Sequence, residues 1–474
     1  MAQAPDCIGP ALACLAATWL SALGCAKVPA QSAFEIGKNA PAQFEVEGNA
    51  LCFAGANNYY LGYKPRAMVD DVLETAHAMG IRVLRTWAFI DRGSLDGSVR
   101  NIDGEGSKDG VYFQAWDPTG KRALYNDGPS GLEHLDYALA RASRLGIKLV
   151  LVLTNNWHDF GGMDQYLAWY GLTAHQDFYT SPDVKQAYKA WLSHLVTRVN
   201  RVSGVPYRDD PTIFAWELGN EPRGDIGTSS RILTEWAGEM SGYLKSIDGH
   251  HLVAVGDEGF LEGPSEHWTY HAENGVDHRA LSALPSVDYG TFHLYPETWG
   301  TGFGWSERWI DDHLSVAREL GKPTVLEEYG LKVVRDAFGR VSSGLETRLA
   351  SYSAWNQRVL EHGGNATMFW LLAGRDSEHG GVYPDYDRFS VYRGDPSAAL
   401  LTRFAEQFEF EAPACLNALP RDNHQPSPFV TVRRGPGARA AARRAAAEQP
   451  RAAKVQGIGI GAGVVLTQDT SAGL

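Results

Sequence analysis

Short β-rich runs alternate with longer amphipathic stretches through the middle of the chain, from about residue 50 to residue 372. The runs 51–55, 82–87, 148–153, 213–218, 252–255, 289–293, 324–328 and 367–370 predict eight strands. Between them, apolar residues recur at helical spacing over 67–79, 132–145, 184–200, 232–247, 309–320 and 345–361. Gly80, Gly146 and Gly321 each follow a helical stretch and lead directly into an apolar run, as a helix C-cap feeding the next strand should. Eight strand-then-helix units without an internal sequence repeat predict the α/β class and, within it, a single (β/α)8 TIM barrel. A doubly wound open sheet competes, but no GxGxxG follows the first strand and no GxxxxGK[ST] occurs.

Two connections are long, 88–130 after the second strand and 154–182 after the third. Both leave the C-terminal end of a strand, where such a barrel places its chemistry, so both are expected to wall a cleft.

Composition narrows the partners. The net charge of −13 disfavours nucleic acid, whose binding depends on Lys and Arg neutralising phosphates. The 14 Trp and 20 Tyr exceed what a core needs, and their flat, half-polar faces suit sugar rings. Residues 7–26 carry no charged side chain and read as a secretory or lipoprotein leader within 1–30, although no Lys or Arg precedes them and Asp6 does. The product is expected outside the cytoplasm, with a membrane contact only if Cys25 is lipidated or the leader is retained. Cys7, Cys14 and Cys25 lie in that leader and Cys415 in the tail, which leaves Cys52 alone in the body and predicts no disulfide there. The Ala/Arg-rich segment 412–474 is expected to be a disordered basic tail, so the folded domain is placed at 34–411.

The fourth strand ends in Trp216-Glu217-Leu218-Gly219-Asn220-Glu221-Pro222-Arg223, and the seventh in Glu327-Glu328-Tyr329-Gly330. Carboxylates at the ends of strands 4 and 7 face each other across a barrel mouth. Cleavage of a glycosidic bond with retention needs such a pair, one acid to protonate the leaving oxygen and one carboxylate to attack, about 5–5.5 Å apart. Glu217 and Glu327 are read as structural carboxylates.

Asn220-Glu221-Pro222, His293-Leu294-Tyr295-Pro296, Glu328-Tyr329-Gly330 and Phe369-Trp370 resemble the strand-end signatures of glycoside hydrolase family 5. Phe53-Ala54-Gly55-Ala56-Asn57-Asn58-Tyr59-Tyr60, Arg85-Thr86-Trp87-Ala88-Phe89, Asn155-Asn156-Trp157 and Phe160-Gly161-Gly162 look like its endo-β-1,4-mannanases. The resemblance spans about 34–410. It implies a retaining enzyme that cuts internal β-1,4-mannosidic bonds of mannan, galactomannan or glucomannan, needs no metal or organic cofactor, and works as a monomer. Position by position it implies Glu221 as acid/base, Glu328 as nucleophile and Asn220 as the holder of the sugar 2-hydroxyl. Arg85 and Tyr295 would hydrogen-bond the nucleophile, and His293 would orient the acid/base or the sugar. Trp370 would floor the cleavage site, Arg223 would bind the leaving-group side, and Trp157 and Trp299 would stack sugars.

The two roles require pKa values pushed apart. Arg85 and Tyr295 beside Glu328, against apolar and amide neighbours at Glu221, are expected to do that. A β-1,4-glucanase of the same fold and a catalytically silent glycan-binding protein are the other readings; the complete set of polar residues argues against the second. His267 and His271 with Glu266 have metal-like spacing but lie in a punctuated loop and are set aside, as is the sequon at Asn365.

Overall fold

The computed structural model describes residues 42–412 except 264, 273, 337 and 338, together with 415, 428–435, 437 and 438. The expected leader, residues 1–30, lies outside the described residues. Eight parallel strands form the barrel: β1 (Phe53–Asn57), β2 (Val83–Trp87), β3 (Lys148–Val152), β4 (Ile213–Glu217), β5 (Leu252–Ala254), β6 (Gly290–Leu294), β7 (Thr324–Tyr329) and β8 (Ala366–Phe369). They pair in the order β5-β4-β3-β2-β1-β8-β7-β6. The seam between β5 and β6 is bridged by the Asp288 N–H donating to the Val253 carbonyl at 2.8 Å and the His293 N–H donating to the Glu258 carbonyl at 3.1 Å.

Helices α1 (Arg66–Ala78), α2 (Glu133–Arg144), α3 (Pro182–Thr197), α4 (Ser230–Ile247), α5 (His278–Ala283), α6 (Phe303–Leu320), α7 (Leu345–Glu361) and α8 (Pro396–Phe410) cover the outside. All eight strands coincide with the expected runs. Helices α5 and α8 are additions, α5 because six residues are too few for a periodic signal. The three glycines after α1, α2 and α6 take φ of 73°, 68° and 62°, the left-handed values that end a helix.

Alternation along the strands fills the interior. Val83, Val150, Phe214, Val325 and Met368 form an inner cluster, while Leu84, Leu149, Leu151 and Leu326 belong to the layer between strands and helices. The N-terminal mouth is plugged by Phe44, whose ring meets Phe214 and Tyr289 edge-on at 5.2 and 5.3 Å. Phe44 comes from the strand Gln43–Val46, which is the middle strand of an antiparallel sheet with Asn49–Leu51 and Thr431–Arg433.

That sheet corrects the expected domain boundary. Thr431–Arg433 and the buried Val430, both assigned from sequence to the disordered tail, are part of the barrel's base. The cysteine count also misled: Cys52 is bonded to Cys415 across 363 residues, with Cα atoms 6.1 Å apart. Counting treated the tail as separate from the fold, and the bond exists because the tail returns to it.

The connection 88–130 carries its own sheet of Asp91–Ser94, Gln114–Asp117 and Arg122–Tyr125, and 154–182 carries helices Gly162–Trp169 and Asp177–Thr180. Both supply cleft walls, Glu105, Lys108 and Asp109 from the first and Asn155, Trp157, Asp159 and Phe160 from the second. Among the described residues no helix is long and apolar enough to cross a membrane.

Candidate active site

A cleft of about 970 Å³ opens at the C-terminal end of the barrel. Arg85 is its electrostatic centre. It sits on β2 with its side chain inside the barrel, fully buried, and over the Trp87 ring at 4.9 Å. Nε donates to both oxygens of Glu217 at 2.9 and 3.1 Å, and Nη2 to Glu217 Oε1 at 2.6 Å and to Asn220 Oδ1 at 2.8 Å. Nη1 donates to Asn57 Oδ1 at 3.2 Å and to Glu328 Oε1. Burial opposes the guanidinium charge, but Glu217, Glu327 and Glu328 together hold its pKa well above the usual value.

Glu328 ends β7. Its second oxygen accepts from the Tyr295 hydroxyl at 2.7 Å. His293 faces it because the β6–β7 register slips by one residue between Phe292 and His293; Phe292 pairs with Leu326 and His293 with Glu328. Without that bulge the imidazole would sit opposite Glu327, so the irregularity re-aims the ring towards the cleft.

Glu221 follows β4 with φ of 51°, an uncommon value for a residue with a side chain and of a kind concentrated at functional sites. Its N–H donates to the Gly256 carbonyl at 2.9 Å. Oε1 is 2.8 Å from His293 Nδ1, and Oε2 accepts from the Trp157 indole N–H at 2.6 Å. One carboxylate oxygen of Glu221, one of Glu328 and a ring nitrogen of His293 all lie within 4.8 Å of one another. The two glutamates therefore converge at one rim.

The surroundings of Glu221 differ from the expected apolar and amide neighbours. Burial pushes its carboxyl up, but His293, the Arg223 charge and the Trp157 N–H outweigh burial and leave it at about 2. Burial raises Glu328 above the ordinary carboxylate range, offset in part by His293 and Arg85. These directions run opposite to the expected ordering of the pair. The reason is His293. Burial opposes its charge, yet the Glu328 charge, the bond to Glu221 and the nearby Glu327 carboxylate raise the imidazole well above its usual pKa.

On the Glu221 side, Arg223 is gripped by Glu258, Nε to Oε2 at 2.5 Å and Nη2 to Oε1 at 2.7 Å, and stacks on Trp157, Phe260 and Trp268 at 5.1, 4.8 and 5.8 Å. Trp157 is 41 % exposed, as a sugar-binding ring must be, whereas Trp299 is only 7 % exposed and packs against Phe260, Trp268 and Trp305. Trp299 reaches the cleft through one edge, and the half-buried Trp268 offers ring surface beside it. On the opposite side Trp370 lies between Tyr59 and Trp87, centroids 5.9 and 5.7 Å away, and its indole N–H donates to Asp387 at 2.7 Å. The Trp370–Leu371 peptide is cis.

Every residue named from sequence lines the cleft or touches one that does. Sequence reasoning passed over Glu258, Trp268 and Asp387, and quoted Asn155 without giving it a role. Glu258 lies just beyond the C-terminal end of β5, the same positional signal that singled out Glu221. Trp268 was hidden in the histidine-rich loop that was set aside. Those histidines are occupied: His267 Nε2 with the Trp299 carbonyl at 3.1 Å and His271 Nε2 with the Ser265 carbonyl at 3.1 Å. Glu221, His293 and Glu328 have metal-ligand spacing, but Arg85 already supplies a positive charge to Glu328. Asn365 is buried and donates to the Ala42 carbonyl at 2.9 Å, which removes it as a glycan acceptor on the folded chain.

Residues 103–397 match the family described as GH family 5 beta-mannosidase-like. A mannan endo-1,4-beta-mannosidase F of Aspergillus fumigatus is 34 % identical over 356 residues, 74 % of this chain and 73 % of that one. The endo-beta-1,4-mannanase of Thermotoga petrophila superposes with a TM-score of 0.66 at 42 % identity, covering 76 % of this chain and 77 % of the other. The endo-1,4-beta-mannanase of Rhizomucor miehei gives 0.68 at 36 % identity, covering 78 % and 99 %. With the matched segment spanning most of the barrel and its strand-end carboxylates, the chain belongs to glycoside hydrolase family 5, among the β-mannosidase-like members.

Proposed function

We propose that this protein is an endo-acting mannan hydrolase that cleaves internal β-1,4-mannosidic bonds with retention. The observation that carries the reading is the convergence of Glu221 and Glu328 to within 4.8 Å across the mouth, too close to hold both a sugar and an attacking water between them, as inversion requires, and suited to a double displacement. Glu328 attacks the anomeric carbon while Arg85 and Tyr295 stabilise its charge. Glu221 gives the leaving oxygen a proton, then takes one from water in the second step.

His293 is placed to supply that proton: its Nδ1 lies 2.8 Å from Glu221 Oε1, and transfer along that bond turns the carboxylate into the acid the first step needs. Asn220 keeps one amide hydrogen for the sugar after donating to Asn155 at 3.0 Å, and Trp370 supplies the floor. Arg223, Trp157 and Trp268 lie on the Glu221 side and take the leaving-group sugars; Tyr59 and Tyr383 lie on the Trp370 side. The relatives named above act on mannan, which favours mannan over the glucan reading, and the intact carboxylate pair disfavours a silent binder.

The Cys52–Cys415 bond supports export, since structural disulfides persist in oxidising compartments. Digestion of mannan, glucomannan and cellulose side by side, with products separated by size and their first anomer read by NMR, tests the activity. Internal cuts in mannan with β-anomers formed first are expected. Cellulose cleaved in preference, or α-anomers first, would overturn it.

A further inference from the structure

Beneath the catalytic pair lie two more carboxylates. Glu217 and Glu327 are fully buried, the first at the end of β4 and the second inside β7. Both address one guanidinium: Arg85 Nε is 2.9 and 3.1 Å from the oxygens of Glu217 and 3.6 Å from Glu327 Oε2. The two carboxylates gather at one nitrogen, and Glu217 and Glu327 are side-chain hydrogen-bond partners of each other. Glu327 otherwise has no donor at hydrogen-bond distance for either oxygen, its remaining ion contact being His293 Nε2 at 3.7 Å. Room for the arrangement comes from Gly256, where a Cβ would lie 2.4 Å from Glu217 Oε1.

With Glu221 and Glu328, these carboxylates crowd around two cations, Arg85 and His293. Unpartnered charge at zero exposure is the costliest state a carboxylate can occupy. One proton between Glu217 and Glu327 removes both the repulsion and the missing donor.

We propose that Glu217 and Glu327 share a single proton as a carboxylic acid–carboxylate pair, and that through Arg85 they position Glu328 and Asn220 for the reaction. The pair is a positioning device; neither oxygen set touches the sugar. Its charge is fixed at −1, which leaves Arg85 enough positive charge to serve Glu328. Burial raises Glu217 to about 8, whereas Glu327, despite burial, is held below its usual value by Arg85 and His293, the asymmetry of a half-protonated pair. The other titratable groups facing it are Glu328 on β7, Tyr289 preceding β6 and Tyr188 on α3.

This inference rests on the hydrolase reading for its kinetics, but not for its spectroscopy. The infrared difference between the wild type and each variant, full chain at neutral pH, should show a buried protonated carboxyl band lost in Glu217→Gln and the same band lost in Glu327→Gln; the buried Asp91, whose carboxyl burial also raises, is common to all three proteins and cancels. Either variant suffices if the other fails to fold. A difference without that band overturns the pair. No substrate is needed, so a protein that cuts no mannan sinks the activity without touching this result.

On mannan, each single Gln variant keeps the pair at −1 and should leave the acid limb of kcat/KM in place. The double variant loses that charge and should move the limb to lower pH. A single variant that already moves it means both carboxylates are ionised in the wild type. Glu217→Ala, which frees Arg85, should lower kcat about 100-fold with little change in KM, the cost of a misplaced group. An unchanged kcat refutes the positioning role.

Discussion

Val83 and Arg85 are two residues apart on β2, and Val325 and Glu327 two apart on β7, so each pair shares a face of its strand. The lower member of each pair joins Phe44, Phe214 and Tyr289 in an apolar plug. The upper member joins a buried cluster of charges. About 7 Å of strand separates a region that gains stability from burial and one that loses it. Packing at the base tolerates the electrostatic cost at the rim, and the two should respond oppositely to mutation.

The largest effect belongs to the rim. Glu328→Ala should lower kcat on mannan by on the order of 10⁵-fold, about 7 kcal/mol of barrier, measured against the same protein concentration. Removing a buried carboxylate should at the same time leave the melting temperature unchanged or higher. A fall in both would erase the contrast with the base. Glu221→Gln should cost roughly 10²–10⁴-fold on mannan and much less on an aryl mannoside whose leaving group needs no proton. Equal losses on the two substrates would remove the acid role.

The base should behave in reverse. Phe44→Ala leaves a hole among Phe53, Phe214 and Tyr289 and should cost about 3–5 kcal/mol in urea unfolding while kcat per folded molecule stays put. Cys415→Ser should cost about 2–4 kcal/mol by freeing a 363-residue loop in the unfolded chain, again without a change in kcat. A kcat that falls with either would mean that the plug and the rim are mechanically coupled.

The sequence made most of this legible where one physical rule acted alone. Eight apolar runs separated by amphipathic stretches leave few folds, and Glu221 and Glu328 stand out because strand ends are where barrel chemistry gathers. Legibility failed where two distant segments had to meet. Nothing near Cys415 announces that residues 430–433 return to the base beside Phe44. The environment of Glu221 was misjudged for the same reason: its neighbours in the chain are Asn220 and Pro222, but its neighbours in space are His293 and Trp157, from β6 and the loop after β3. Glu217 and Glu327 were read as structural carboxylates, but their shared grip on Arg85 depends on β2, β4 and β7, none of them neighbours in the sheet, turning side chains into one barrel interior.

A carboxylate at the base supplies the finest test, because it is satisfied where those at the rim are crowded. Asp248, between α4 and β5, accepts from the Trp216 indole at 2.7 Å and from the His250 and His251 N–H groups at 2.8 and 3.1 Å, and pairs with His251 Nδ1 at 2.7 Å. Burial opposes its charge, but His251 and these donors win and hold it at about 2. A folded-state pKa below the unfolded value near 3.8 means that the unfolded chain binds the proton more tightly. The resulting stability, about 2 kcal/mol, is present above pH 4 and drains away as pH falls from about 4 towards 2. Asp248→Asn should therefore lie below the wild type at pH 6 and close part of that gap at pH 3 in urea unfolding. Parallel curves at the two pH values would mean that Asp248 gains nothing from its donors, and the base would then differ from the rim only in its hydrocarbons.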